Sequence, residues 1–266
     1  MNQVHIYDPR RFQSVVPFYE RYRLSYPPRL IGRVIALAGL APGDAVLDLG
    51  SGPGLLAVPF ALAGMAVTAA DPEPAMLEAT DAAARAAGIS LSLWQGGSYD
   101  LTPQMGPYRL AAIGRAFHWM DRAATLAMLD RIVTPDGAVV FFHDAHPDTS
   151  ENRWFKTLRE VTDRYSKDSS HIAERKSGGH RRYEPYLFAS AFTMLDGLSV
   201  TIRREITLDD IIGRAYSLST CAPDRLGERR ADFEAEMRAA LAPLAIDGKF
   251  IEIAEMVALV ARREQI

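Results

Sequence analysis

The chain has a single cysteine, Cys221, among its 266 residues. An internal disulfide and a cysteine-rich metal site are thereby excluded. Lysine is nearly as scarce: Lys156, Lys167, Lys176 and Lys249 are the only ones, and arginine carries the remaining positive charge. With 30 basic and 33 acidic residues the formal net charge is −3, so no basic excess calls for a nucleic-acid partner. Met1 to Arg11 lack the apolar run of a secretory signal. Gly50 to Ala70 is free of charge and has about the ~20 residues of a spanning helix. It is broken, however, by Gly50, Gly52, Pro53, Gly54, Pro59 and Gly64, and two short buried elements account for it better. Internal repeats and low-complexity tracts are missing. A soluble, cytoplasmic protein that does not enter a membrane is expected. A homo-oligomer is compatible with the sequence.

What is present is globular. At 48% hydrophobic and 24% charged residues, wholesale disorder is excluded, and a chain of this length buries a core without staples. Leu30, Val34, Leu37 and Ala38 recur at helical spacing. After the turn Ala41-Pro42-Gly43-Asp44, Ala45–Leu49 reads as a buried strand. Leu55–Ala63 reads as a helix ended by Gly64, and Ala66–Ala70 as a second strand closing on Asp71. Pro74 opens a helix that Gly88 caps. Ser90–Trp94, Arg109–Ile113 and Ala138–Phe142 supply three more strands, with a helix capped by Asp121 before the last. Five short apolar strands alternating with helices predict a parallel, doubly wound sheet covered on both faces. From about Asp148 the pattern changes: Ser150–Tyr165 is an amphipathic helix, and 166–182 is polar with Gly178-Gly179. Ser199–Ile206 then alternates as a strand, 208–218 and 228–241 are helical, and Phe250–Ala261 supplies a last strand.

The chemistry concentrates in Asp48-Leu49-Gly50-Ser51-Gly52-Pro53-Gly54, between the first strand and the helix that follows. Glycines there permit positive φ and let a ligand touch the backbone at the carboxyl edge of the sheet. Asp71, ending the second strand, is placed to accept two ribose hydroxyls. Dinucleotides and S-adenosylmethionine both satisfy this much. The spacing is Gly-x-Gly-x-Gly, not Gly-x-Gly-x-x-Gly, and Pro53 removes an N–H where a pyrophosphate wants donors. S-adenosylmethionine carries no phosphate, and Asp48 would repel a pyrophosphate but attract the ammonium of a methionine moiety.

Val46 to Gly54 resembles the first motif of class I S-adenosylmethionine-dependent methyltransferases, and Asp71-Pro72-Glu73-Pro74-Ala75-Met76-Leu77 their second-strand acid and helix start. Gly114-Arg115-Ala116-Phe117-His118-Trp119-Met120-Asp121 and Tyr19-Glu20-Arg21-Tyr22-Arg23-Leu24-Ser25-Tyr26-Pro27 are similar to segments of a bacterial branch acting on small molecules. The resemblance implies a Rossmann-like sheet of seven strands with the last, Phe250–Ala261, antiparallel. It implies a helical cap over 1–40, a cofactor-binding core over 41–147, a helical lid over 148–196 and completion of the sheet over 197–266. The expected contacts to S-adenosyl-L-methionine are Tyr19, Arg23, Asp48, Gly50, Ser51, Gly52, Gly54, Asp71, Pro72, Met76, Gly97, Ser98, Arg115 and Phe117.

Phe117 and His118 follow the fourth strand, where an aromatic face near a sulfonium gains cation–π attraction and an imidazole can accept a proton. His118 is the candidate catalytic residue, and Tyr7, His118, Trp119 and His143 are the candidate acceptor contacts. His143, Asp144 and His146 also invite a metal reading, but a loop lacks the fixed geometry of a helix and the resemblance implies no metal. The basic run Arg175–Arg182 reads as a solvated loop. The expected function is methyl transfer to an oxygen or nitrogen of a small molecule. A non-catalytic cofactor-binding regulator and a nicotinamide-dependent oxidoreductase are the alternatives.

Overall fold

The computed structural model describes residues 13–166, 172, 173, 176 and 182–264. The first helices, α1 (Val16–Tyr22) and α2 (Pro28–Leu37), precede a strand–helix alternation of β1 (Ala45–Leu49), α3 (Ala57–Leu62), β2 (Ala66–Asp71), α4 (Pro74–Ala86), β3 (Ser92–Gln95), β4 (Tyr108–Gly114), α5 (Arg122–Ile132) and β5 (Val133–Ala145). There follow α6 (Arg153–Tyr165), α7 (Glu184–Phe188), β6 (Met194–Thr207), α8 (Leu208–Tyr216), α9 (Pro223–Leu226), α10 (Arg230–Leu241) and β7 (Lys249–Arg262).

The seven strands form one sheet in the order β3-β2-β1-β4-β5-β7-β6. β3, β2, β1, β4 and β5 pair in parallel, and β7 runs antiparallel between β5 and β6. The order reverses at β1, whose neighbours are β2 and β4. At that switch point the carboxyl ends of parallel strands leave an open crevice.

The central strands β1, β4 and β5 are apolar on both faces because each face is covered. On one, Val46, Leu110, Val140 and Phe142 pack with Leu30, Val34 and Phe60 of α2 and α3. On the other, Leu47, Ile113, Val139 and Phe141 pack with Leu126 and Leu129 of α5 and Leu187 of α7. The local signals act as expected: the Asp121 carboxylate accepts the Ala124 N–H at the start of α5, and Gly64 and Gly88 end α3 and α4 at positive φ.

A third core differs from the expected division. Trp154, Leu158 and Val161 of α6 pack with Ile211 and Ala215 of α8 and Phe233 and Met237 of α10. The boundary expected at 196/197 therefore falls inside β6. Helices from both sides of it share one apolar cluster, because each has one apolar stripe and none can bury it alone. In the segment expected as a lid, α6 belongs to this cluster, while part of the basic run 175–182 lies outside the described residues.

Candidate active site

The crevice is built on the turn after β1. The Gly50 and Ser51 N–H groups both donate to the Ala70 carbonyl of β2, at 2.8 and 3.0 Å. The Gly52 N–H donates to Asp71 Oδ2 at 2.9 Å, and Gly54 N–H to the Ser51 carbonyl at 3.1 Å. Thr80 of α4 donates its hydroxyl to the Gly52 carbonyl at 2.7 Å. With Pro53 lacking an N–H, every backbone N–H from Gly50 to Gly54 is used inside the protein. Such a loop has no free N–H with which to cradle a pyrophosphate. Gly50, with φ +73°, is also confined by contact: a Cβ there would lie 2.6 Å from that of Ala116.

The walls of this cleft, about 260 Å³ including its open mouth, are Tyr19, Tyr26, Asp48, the glycine loop, Leu55, Leu56, Gly114 and Arg115. Asp48 is 1% exposed and neither carboxylate oxygen has a hydrogen-bond partner. Burial pushes its pKa up to about 7; the Ala57 backbone N–H, near it but outside hydrogen-bond geometry, offsets part of this and nearby Asp71 adds to it. An unpaired buried carboxylate of this kind calls for a cation.

Asp71, expected at the ribose, is tied to two backbone donors. Its Oδ1 accepts the Glu73 N–H and its Oδ2 the Gly52 N–H, each at 2.9 Å. Burial raises its pKa to about 6 against the opposing effect of those two donors. One carboxylate thus pins the glycine loop to the start of α4 and retains acceptor capacity on both oxygens. Nearby, the Gly96 N–H donates to the Asp71 carbonyl at 3.1 Å and the Gly97 N–H to Asp100 Oδ2 at 2.8 Å. Gly97, Ser98 and Pro72 therefore lie beside Asp71 at the same strand ends.

Arg115 follows β4 with φ +56°, a conformation side chains rarely adopt. Its Nε donates to Asp144 Oδ1 at 2.6 Å, its Nη2 to the Leu24 carbonyl at 2.9 Å, and it stacks 4.7 Å over Tyr26. Nη1 is buried without a partner. Burial alone would push the Asp144 carboxyl up, but Arg115, with His146 and Arg23, holds it well below the usual carboxylate range. Arg23 lies 5.0 Å over the Tyr19 ring, and its Nε is likewise buried and unpartnered. Two guanidinium donors and one orphan carboxylate thus flank the loop, a donor set that fits both ends of an amino-acid zwitterion.

Other expected residues are placed elsewhere. Phe117 is 1% exposed and packs on Phe141 and Tyr183 in the core, 4.7 and 5.7 Å between centroids. It supports the segment after β4 from beneath and does not face the cleft. Met76 is buried against Val15 and Ala222. His118 and Trp119 occupy a short 3₁₀ turn over Phe117–Trp119, their rings 4.7 Å apart, and the His143 ring meets Tyr183 edge-on at 5.9 Å. These three stand at the ends of β4 and β5, toward the α5–α7 face, whereas Arg115 and Asp144 lie toward α2. His146 turns away from His143 altogether: its Nε2 bonds Glu252 at 2.7 Å and its ring stacks on Phe155 at 3.9 Å. Tyr7 lies outside the described residues. Tyr26, Leu55, Leu56, Gly114 and Thr80 are the participants that the sequence did not single out, although Tyr26-Pro27 and Gly114 sit inside the segments that carry the family resemblance.

The methyltransferase-domain family matches residues 46–137. An uncharacterized methyltransferase of Mycobacterium tuberculosis (strain ATCC 25618 / H37Rv) is 30% identical over 155 residues, 58% of this chain. The match spans 59% of the length of that mycobacterial relative. The protein-L-isoaspartate O-methyltransferase of Methylorubrum extorquens (strain PA1) is 31% identical over 112 residues, 41% of this chain and 49% of that one. Among solved structures, a protein from Anaeromyxobacter dehalogenans assigned as a type II methyltransferase superposes with a TM-score of 0.64 at 20% identity, over 91% of this chain and 98% of its own. Precorrin 8W decarboxylase from Methanobacterium thermoautotrophicum superposes at 0.52 and 14% identity, over 92% and 95%. Likeness at those identities is one of fold, which by itself names no reaction. Among the described residues no helix is long and apolar enough to cross a membrane. In its matched domain over residues 46–137, its seven-stranded sheet and its glycine loop, the chain is similar to the class I S-adenosylmethionine-dependent methyltransferases.

Proposed function

We propose that the protein transfers a methyl group from S-adenosylmethionine to an oxygen or nitrogen of a small molecule. The observation that carries this reading is the cleft around the glycine loop: its N–H donors are all used internally, while a buried carboxylate and one nitrogen on each of two guanidinium groups lack partners. That set suits a phosphate-free zwitterion and disfavours a dinucleotide. Asp48 would hold the ammonium, Arg115 and Arg23 the carboxylate, and Asp71 the ribose hydroxyls, with Gly97 and Ser98 beside the adenine. When bound, the cofactor supplies an electrophilic methyl on a positively charged sulfur.

The protein's task is then mainly alignment, since holding a nucleophile in line with the breaking bond supplies ~7–11 kcal/mol of barrier reduction. His118 is the residue assigned to take the proton of a hydroxyl or amine acceptor, with Trp119 against it and His143 and Tyr7 as further acceptor contacts. A carboxylate acceptor would need no base. The name of the Methylorubrum relative, an O-methyltransferase, favours oxygen. The buried, unpaired thiol of Cys221 suits a cytoplasmic setting. Calorimetric titration with S-adenosylmethionine and, separately, NAD tests the cofactor. Release of S-adenosylhomocysteine in the presence of a metabolite panel tests turnover. Binding of NAD in preference to S-adenosylmethionine would overturn the reading, and cofactor binding without turnover on any acceptor would leave a regulator in its place.

A further inference from the structure

The N-terminal segment brings Tyr19 and Tyr26 to the cleft, with Arg23 stacked on Tyr19, and its seat lies on α8, in the insertion between β6 and β7. Phe18 and Tyr22, one turn apart on α1, form the docking face. The Phe18 ring meets Tyr216 edge-on at 5.2 Å. The Tyr22 ring lies flat on Gly213, where a Cβ would sit 2.4–2.5 Å from ring carbons Cδ2, Cε2 and Cζ. Carbon atoms in contact need about 3.5–4.0 Å. Gly213 is in the buried interior of α8, where alanine is the better helix former. Its backbone is not in the left-handed region, so the missing side chain, and not conformational freedom, explains the glycine.

Directly after Tyr22 the helix ends. The Arg23 N–H closes α1 on the Tyr19 carbonyl, and its guanidinium reaches the Ser217 carbonyl at the end of α8, 3.4 Å away. One helix therefore seats Tyr22 and receives Arg23. We propose that Gly213 is a positioning residue for the cofactor site: the space above it lets α1 lie close enough to α8 to hold Tyr19 at the cleft wall and Arg23 against it. This rests on the reading of the cleft as the S-adenosylmethionine site.

The test is a double-mutant cycle read by calorimetric titration of S-adenosylmethionine into the full chain, with thermal melting alongside. Gly213→Ala is expected to weaken binding at least tenfold while the protein still melts cooperatively. Tyr22→Ala removes the ring that alanine would strike, so Tyr22→Ala/Gly213→Ala is expected to bind no more weakly than Tyr22→Ala alone. Should Gly213→Ala fail to fold, Tyr22→Trp crowds the same seat from the other side and is expected to show the same loss. Wild-type affinity in Gly213→Ala and in Tyr22→Trp overturns the inference, as does a double variant in which the two losses simply add. A wild-type chain that does not bind S-adenosylmethionine overturns the functional reading, and this inference with it.

Discussion

Replacing Asp48 by asparagine should make the protein more stable and its cofactor site worse, with a pH dependence that separates this from ordinary repacking. The Asp48 carboxyl goes from an ordinary 3.8 to about 7 in the fold, chiefly through burial. A folded-state pKa above the unfolded one means that stability is fully present below about pH 3.8 and is lost as pH rises through 7. At ~1.4 kcal/mol per pKa unit, the ionised group costs the fold ~4 kcal/mol at pH 8. An asparagine amide in the same place ionises at no pH, but as an unpartnered buried polar group it costs ~1–3 kcal/mol. The net gain of Asp48→Asn at pH 8 is therefore ~2 kcal/mol, or ~4–8 °C in melting temperature at ~2–4 °C per kcal/mol. At pH 5, where Asp48 is already protonated, the gain should vanish. Binding should move the other way. Loss of a charge-assisted contact to the ammonium costs ~1.5–3 kcal/mol, a ~10- to 100-fold weaker Kd. The wild-type affinity should itself rise between pH 6 and 8 as the carboxyl ionises. Differential scanning fluorimetry of both proteins at pH 5 and 8, with calorimetric titration at pH 8, measures all of this. An equal melting shift at the two pH values, or unchanged affinity, would refute the reasoning.

Three further outcomes are expected. Asp71→Ala strands the Gly52 and Glu73 N–H groups, so it should lose ~1–3 kcal/mol of stability per stranded donor and weaken S-adenosylmethionine at least tenfold; loss of stability with full affinity would move the ribose contact elsewhere. Gly52→Val puts a β-branched residue at φ +54°, a strained position, and should abolish cofactor binding; a folded variant that binds normally would show that the loop is not at the cofactor. His118→Ala should leave the Kd for cofactor nearly unchanged and lower turnover at saturation at least tenfold, less than the full ~10²–10⁴ of general-base assistance because solvent substitutes in part. Full turnover in that variant would make the ring a packing partner of Trp119.

Much of the fold was written in local chemistry. Ala45–Leu49, Ala66–Ala70 and Ala138–Phe142 are short apolar runs between turn residues, and a run that is apolar on both alternating sides has to be buried on both faces. The sheet therefore follows from pattern. So does the glycine turn, since its φ values of +73°, +54° and +82° at Gly50, Gly52 and Gly54 are ones that the sequence announces by residue type. Strand and helix ends moved where pairing, not propensity, sets them: β5 begins at Val133, opposite Tyr108 of β4, and runs on to Ala145 because β7 pairs with it from Ala138 to that end.

Where side chains point could not be read in this way. Phe117 and His118 are neighbours, but the turn after β4 sends the first into the core. His143 and Asp144 are neighbours on a strand, and alternation sends them to opposite faces, so that Asp144 meets Arg115 and His143 meets Tyr183. Asp71 as the anchor of Gly52, Thr80 on the Gly52 carbonyl, and Gly213 beneath Tyr22 join residues 19, 28 and 191 positions apart in the chain. A sequence determines which residue types can bind, bend or be buried. Which of them meet is decided by long-range packing, because contacts between distant segments exist only once the sheet and its helices have closed around one another.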